Sequence, residues 1–211
     1  MNLLLVTGFL GAGKTTLVLN LAAALAERGR RAAIVINELG EVGVDDQLMR
    51  RLGFNVWELL NGCICCTLSG DLLNTLYQLD TDYAPDVVLV EPTGAADPRN
   101  VLDALPLYRG RPLHVTVITI LDPLRLPLLM EVLTPLITSQ IQRAQLVLIG
   151  KADLATDVDI DFARHTVADL HPDIPVLVGH AAQPATLDTL REHLPWLSGF
   201  SNPTPPPSAG M

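Results

Sequence analysis

The chain has 211 residues, 49% hydrophobic and 18% charged, enough apolar material for one α/β core and too little length for two ordinary domains. Asp and Glu number 23 against 14 Lys and Arg, a net charge of −9, which argues against nucleic acid or an anionic membrane as the main partner. The only cysteines are Cys63, Cys65 and Cys66, with no other Cys to pair with them in a disulfide framework for secretion, and the start lacks the positive region of a signal peptide, so the expected place of action is the cytoplasm.

In chain order, strand 2–7 opens the fold and is followed by Gly8-Phe9-Leu10-Gly11-Ala12-Gly13-Lys14-Thr15 and helix 14–28. The octapeptide fits G-x-x-x-x-G-K-[ST] and stands between strand and helix, as the motif requires. Gly8, Gly11, Ala12 and Gly13 are expected to turn backbone N–H groups towards phosphate oxygens. The helix start at Lys14, Thr15 and Thr16 adds its positive dipole end. Lys14 is expected to reach the outer phosphates and the Thr15 hydroxyl to take Mg²⁺. A plain Gly-rich turn is the competing reading, but it has no need of Lys-Thr at the helix start.

Strand 31–36 leads into Asn37-Glu38-Leu39-Gly40-Glu41-Val42-Gly43-Val44-Asp45-Asp46. Carboxylates and glycines in that mixture suit a switch loop that senses nucleotide and Mg²⁺, with either Glu38 or Asp45 orienting the attacking water. A solvated acidic loop is the alternative. Strand 54–59 precedes Asn61-Gly62-Cys63-Ile64-Cys65-Cys66 and helix 67–79. In an extended segment Cys63 and Cys65 face the same way, and a turn can bring Cys66 round to them. Three thiolates make an incomplete soft-metal shell with room for an outside ligand. Buried small hydrophobes, or a redox pair of Cys63 and Cys66, are the alternatives.

Strand 86–91 ends on Glu91, followed by Pro92-Thr93-Gly94. Ligands of open α/β sheets gather at that end of the strands, so Glu91 is expected to hold Mg²⁺ through water and the Gly94 N–H to approach the γ-phosphate. Helix 98–105 and strand 113–121 come next. Periodicity assigns nothing to 122–135, but Asp122, Arg125, Glu131 and three prolines there exclude an uninterrupted membrane span. Helix 134–143, strand 145–150, helix 158–170, strand 174–178 and helix 185–194 complete the pattern. Runs such as AAIVI, VVLV and LVLI are apolar on both faces, the mark of buried parallel strands. The expected fold is an α/β P-loop NTPase: a mostly parallel β-sheet with helices on both faces, one domain over 1–198, and a Pro-rich, disordered tail at 199–211.

GFLGAGKTT at 8–16, NELGEVGVDD at 37–46, NGCICC at 61–66 and EPTGAADP at 91–98 together resemble the CobW/HypB/UreG family of metal-chaperone GTPases, its CobW-like branch most of all. The resemblance implies a GTP-binding and GTP-hydrolysing metallochaperone or metal insertase. GTP and GDP are then the nucleotides, and Cys63, Cys65 and Cys66 form the cargo site for Zn²⁺ or Co²⁺, with Ni²⁺ also within the family's range. Glu41 on the switch loop is the candidate extra ligand. The implied partners are a client metalloprotein or an enzyme of a metal-cofactor pathway, and a nucleotide-dependent second copy of the chain.

Where the family reads the base with N-K-x-D, this chain has Gly150-Lys151-Ala152-Asp153. Asp153 can accept from guanine and the Lys151 stem can cover the ring, but the Asn is absent, which predicts weakened selectivity. Long CobW-like proteins also carry a C-terminal domain, often with a His-rich stretch. Here the chain stops near the end of the GTPase fold, and its scattered histidines read as surface or structural. No evident arginine finger accompanies the acidic loop, so intrinsic turnover is expected to be slow. A metal-responsive nucleotide-binding module with little or no hydrolysis is the alternative function.

Overall fold

The computed structural model describes residues 1–36, 55–58 and 68–194. Its strands are β1 (Asn2–Thr7), β2 (Ala32–Ile36), β3 (Asn55–Glu58), β4 (Val87–Glu91), β5 (His114–Leu121), β6 (Leu146–Ile149) and β7 (Val176–Val178). They form one sheet in the order β3-β2-β4-β1-β5-β6-β7, and every neighbouring pair is parallel. From β1 the chain runs outward to one edge through β2 and β3; from β5 it runs to the other through β6 and β7. The carboxyl ends of β1, β4 and β5 therefore border the place where the winding changes direction, the crevice in which such sheets bind ligands.

The helices are α1 (Lys14–Ala26), α2 (Leu68–Gln78), α3 (Pro98–Ala104), α4 (Leu126–Val132), α5 (Thr134–Gln142), α6 (Asp157–Leu170) and α7 (Pro184–His193). Because side chains alternate along a strand, each buried strand feeds two cores. Leu4, Val6, Ile34, Leu89, Ile118 and Leu148 pack against Leu17, Leu21 and Leu25 of α1 and Leu187 and Leu190 of α7. On the opposite face Leu3, Leu5, Val88 and Val90 meet Leu72 and Leu76 of α2 and Val101 of α3. There Leu121, Val147 and Ile149 meet Leu126, Ile137, Ile141 and Ala163 of α4, α5 and α6. Each fully buried Leu or Ile contributes roughly 1.5–3 kcal/mol, so the central strands are the least replaceable part of the frame.

The segment 122–135 holds α4 and the beginning of α5. Pro127 and Pro135 each fall in a helical first turn, where the missing N–H has no intrahelical partner to lose. That is why a Pro-rich stretch that looks like a breaker is mostly helix. Among the described residues no helix is long and apolar enough to cross a membrane. Glu38, Glu41, Asp45, Cys63, Cys65, Cys66 and the tail 199–211 lie outside the described residues.

Candidate nucleotide site

The loop between β1 and α1 is shaped by what surrounds it. At Gly8 φ is 135°, and a Cβ there would lie 2.3 Å from the Ile120 carbonyl oxygen, so only glycine lets the chain leave β1 beside β5. Helix α1 begins after Gly13 with no side-chain cap and no acidic residue in its first turn. Its leading N–H groups and dipole end are left for an anion.

Lys14 is only 4% exposed, and Glu91, at the end of β4, only 1%. The Lys14 Nζ donates to the Phe9 carbonyl at 3.5 Å and stands 4.0 Å from the Glu91 Oε1. The Thr15 hydroxyl donates to that same oxygen at 2.8 Å. A buried carboxylate needs a cation or strong donors beside it, and the phosphate loop supplies both. A hydroxyl and a carboxylate side by side are the hard oxygen donors Mg²⁺ prefers, so the residues present fit that ion.

Gly94 presses on the loop from the other side: a Cβ there would lie 2.4 Å from the Leu10 amide nitrogen. Its segment is held from below by α5. The Gln140 side-chain amide, fully buried, donates to the Ala96 carbonyl at 3.4 Å and the Gly94 carbonyl at 3.5 Å. Thr119 donates to the Gln140 carbonyl at 2.7 Å and lies 2.8 Å from the Thr7 hydroxyl at the end of β1. Beside it the Ser139 hydroxyl donates to Asp97 at 2.7 Å. Asp97 also caps α3 by accepting from the Arg99 N–H. Burial acts to raise the Asp97 pKa, but the hydrogen bonds from Arg99 and Ser139 outweigh it and hold the carboxyl at about 2, against 3.8 ordinarily.

At the far end of the crevice, β6 delivers Gly150-Lys151-Ala152-Asp153. Lys151 adopts a left-handed backbone, φ 51°, and its ammonium pairs with Asp122 at 2.7 Å. The Asp153 carboxylate is half exposed and 3.9 Å from the His180 Nε2. The His180 loop touches the phosphate helix: Asn20 of α1 donates to the Ala181 carbonyl at 3.4 Å.

The structure thus joins Lys14, Thr15, Glu91 and Gly94 around one loop and sets Lys151 and Asp153 beyond it. Among the described residues no group of three or more His, Cys, Asp or Glu is gathered for a metal ion. Three contributors went unnoticed in the sequence. Asp122 and Gln140 carried no motif. Arg125, which reaches the phosphate loop and donates to the Leu10 carbonyl at 2.8 Å, sat in the unassigned stretch. An Asp at the end of a predicted central strand was the one usable signal for Asp122.

Known proteins resemble this chain in sequence and in fold. The profile of the CobW/HypB/UreG nucleotide-binding domain matches residues 2–178. The zinc chaperone YjiA of Escherichia coli (strain K12) is 36% identical over 163 residues, 74% of this chain and 50% of its own. The zinc chaperone YeiR of the same organism is 39% identical over 121 residues, 56% of this chain and 37% of its own. The match takes in half or less of the length of these curated relatives. The crystal structure of Zn(II)-bound YjiA GTPase from E. coli superposes with a TM-score of 0.61 at 28% identity, covering 83% of this chain and 56% of that one. HypB from Helicobacter pylori, crystallised in complex with nickel, shares the fold with a TM-score of 0.68 at 18% identity, covering 96% and 90%.

Proposed function

The chain belongs to the CobW/HypB/UreG family, and from that premise we propose that it binds GTP with Mg²⁺, hydrolyses it, and uses the nucleotide state to hold or release a transition-metal ion for a client metalloprotein. The observation that carries the nucleotide half is the Thr15 hydroxyl at 2.8 Å from Glu91, under an uncapped helix start and beside Lys14. Gly8, Gly11, Ala12, Gly13 and Thr16 complete the phosphate cradle, and Lys14 leaves the Phe9 carbonyl to meet the outer phosphates. Thr15 and Glu91 would hold Mg²⁺, which supplies neutralisation of phosphate charge. Gly94 brings its N–H to the γ-phosphate, and Gln140 fixes the height of that segment. Asp153 accepts from guanine while the Lys151 stem, held by Asp122, covers the ring.

The metal half rests on the family and on the residue types. Cys63, Cys65 and Cys66 bind the cargo, with Glu41 as the added ligand and Glu38 or Asp45 orienting water. Zn²⁺ is the leading cargo because the relatives are named zinc chaperones; Co²⁺ and Ni²⁺ suit the same donors. The test is a Co²⁺ titration of the GDP-bound chain and of the chain bound to a non-hydrolysable GTP analogue. Thiolate-to-cobalt absorption should appear at one ion per chain, with a different affinity in each state. Replacing Cys65 and Cys66 by Ser should remove the absorption and spare GTP binding. Undiminished binding in the double variant would sink the chaperone reading. Gly150 in the base motif favours a second reading, a metal-responsive module with little hydrolysis. Single-turnover assays with and without Zn²⁺ separate the two, since absence of turnover in every condition selects the module.

A further inference from the structure

Arg125 stands at the N-terminus of α4, far in sequence from the phosphate loop and against it in space. Its Nη1 donates to the Leu10 carbonyl at 2.8 Å. Its guanidinium carbon lies 5.5 Å from the centre of the Phe9 ring, and a Cβ on Gly11 would come within 3.3 Å of Nη1. The Leu10 peptide is therefore held between Gly94, close on its nitrogen side, and Arg125 on its oxygen side. Lys14 meets the carbonyl one residue earlier, at Phe9. Two cations thus rest on consecutive carbonyls of one loop.

The side chain is exposed, and among the described residues no carboxylate pairs with it. Only one of the five guanidinium N–H groups is committed to Leu10. Its backbone, by contrast, is anchored. The Arg125 N–H donates to the Asp122 carbonyl at 3.2 Å, and the Asp122 carboxylate, 5% exposed, accepts from the Leu124 N–H at 3.1 Å and from Lys151 at 2.7 Å. A fixed backbone carrying a guanidinium with one N–H spent on Leu10, at the crest of a phosphate loop, is an arrangement that suits a stabilising arginine, because little ordering remains to be done when charge develops.

We propose that Arg125 acts in cis as the arginine that stabilises charge on the outer phosphates during hydrolysis; this rests on the nucleotide-hydrolysis reading above. In the step concerned, a water oxygen bonds to the γ-phosphorus while its bond to the β–γ bridging oxygen breaks, and that electron pair leaves on GDP. One water proton goes to the released phosphate, and Arg125 keeps all its protons throughout. The unassigned stretch 122–135 thereby contains an arginine that the motifs alone did not reveal, and intrinsic turnover belongs at about 10⁻² per second, the order found for GTPases with an arginine in cis.

The test uses the full chain with GTP and Mg²⁺ in single turnover, comparing the parent with Arg125→Gln and Arg125→Lys. Gln can still donate to Leu10, and Lys keeps the charge without the fork. The expected result is a fall in rate on the order of 30-fold for Arg125→Gln, the gap between GTPases with and without such an arginine. GDP affinity should stay within about twofold while trapping of GDP with aluminium fluoride weakens, because the guanidinium acts on the transition state. Unchanged rates in both variants overturn the proposal. So does a loss of GDP affinity that accounts for the whole rate change with trapping intact, since that describes a loop brace. A parent chain that neither binds nor hydrolyses GTP overturns the nucleotide reading itself, and that result is read before any variant is compared.

Discussion

Replacing Gly150 by Asn restores the residue type that the base-reading motif normally carries, and the structure sets what it should do. Gly150 has an ordinary backbone conformation. A Cβ there would lie 3.3 Å from the Ile120 Cγ2, 3.4 Å from the Ala12 carbonyl oxygen and 3.6 Å from the Leu121 carbonyl oxygen. The first contact is tight and asks Ile120 to yield a few tenths of an ångström, a small-to-large cost of roughly 1 kcal/mol or less. The second is the opportunity: an Asn amide beside the Ala12 carbonyl can donate to it, worth about 1 kcal/mol. That bond would tie the Lys151–Asp153 segment to the phosphate loop before the base arrives. Stability should barely change, because the two effects offset. GTP-over-ATP selectivity should rise about five- to tenfold, since an ordered acceptor at Asp153 leaves less entropy to lose on meeting guanine and leaves adenine no better placed. Calorimetric titration of both nucleotides into the parent, Gly150→Asn and Gly150→Ala measures this. The Ala variant carries the crowding without the amide and should gain nothing. An unchanged GTP-to-ATP ratio in a folded Gly150→Asn protein would refute the placement of the base beside Lys151 and Asp153.

Three further variants address other parts of the site. Lys14→Ala and Thr15→Ala should each abolish productive GTP binding by calorimetry, and unaltered affinity in both would overturn the phosphate site; Thr15→Ala should also remove most of the Mg²⁺ dependence of any residual binding. Asp97→Asn keeps the α3 cap but loses the charge that Arg99 and Ser139 stabilise. Because the native pKa of about 2 lies below the ordinary 3.8, Asp97 contributes stability above pH ~4 that disappears as pH falls through about 2. With Arg99 half exposed, the contribution is screened to about 1 kcal/mol. Urea unfolding should show the variant weaker by that amount at neutral pH and equal to the parent near pH 2; a constant difference across the range would contradict the assignment.

Much of this protein is legible along the chain because the relevant physics is local. A buried parallel strand must be apolar on both faces, so β1, β2, β4 and β6 announce themselves within a residue or so. A phosphate cradle needs consecutive backbone N–H groups at a helix start, so Gly8 to Thr15 is contiguous by necessity. Glu91 could be inferred because a strand end beside that loop is one place where a carboxylate has work to do. What only the tertiary structure decided is which distant residues the parallel order brings to the same carboxyl edge. Placing β5 beside β1 sets Arg125 on Leu10, 115 residues away. Placing β6 beside β5 sets Lys151 on Asp122, 29 residues apart, and packing α5 against the sheet sets Gln140 under Gly94, 46 residues apart. None of these pairs has a periodicity or a spacing of its own. Each exists because parallel strands joined by helical crossovers must all end on one side of the sheet, and there side chains from unrelated segments become neighbours.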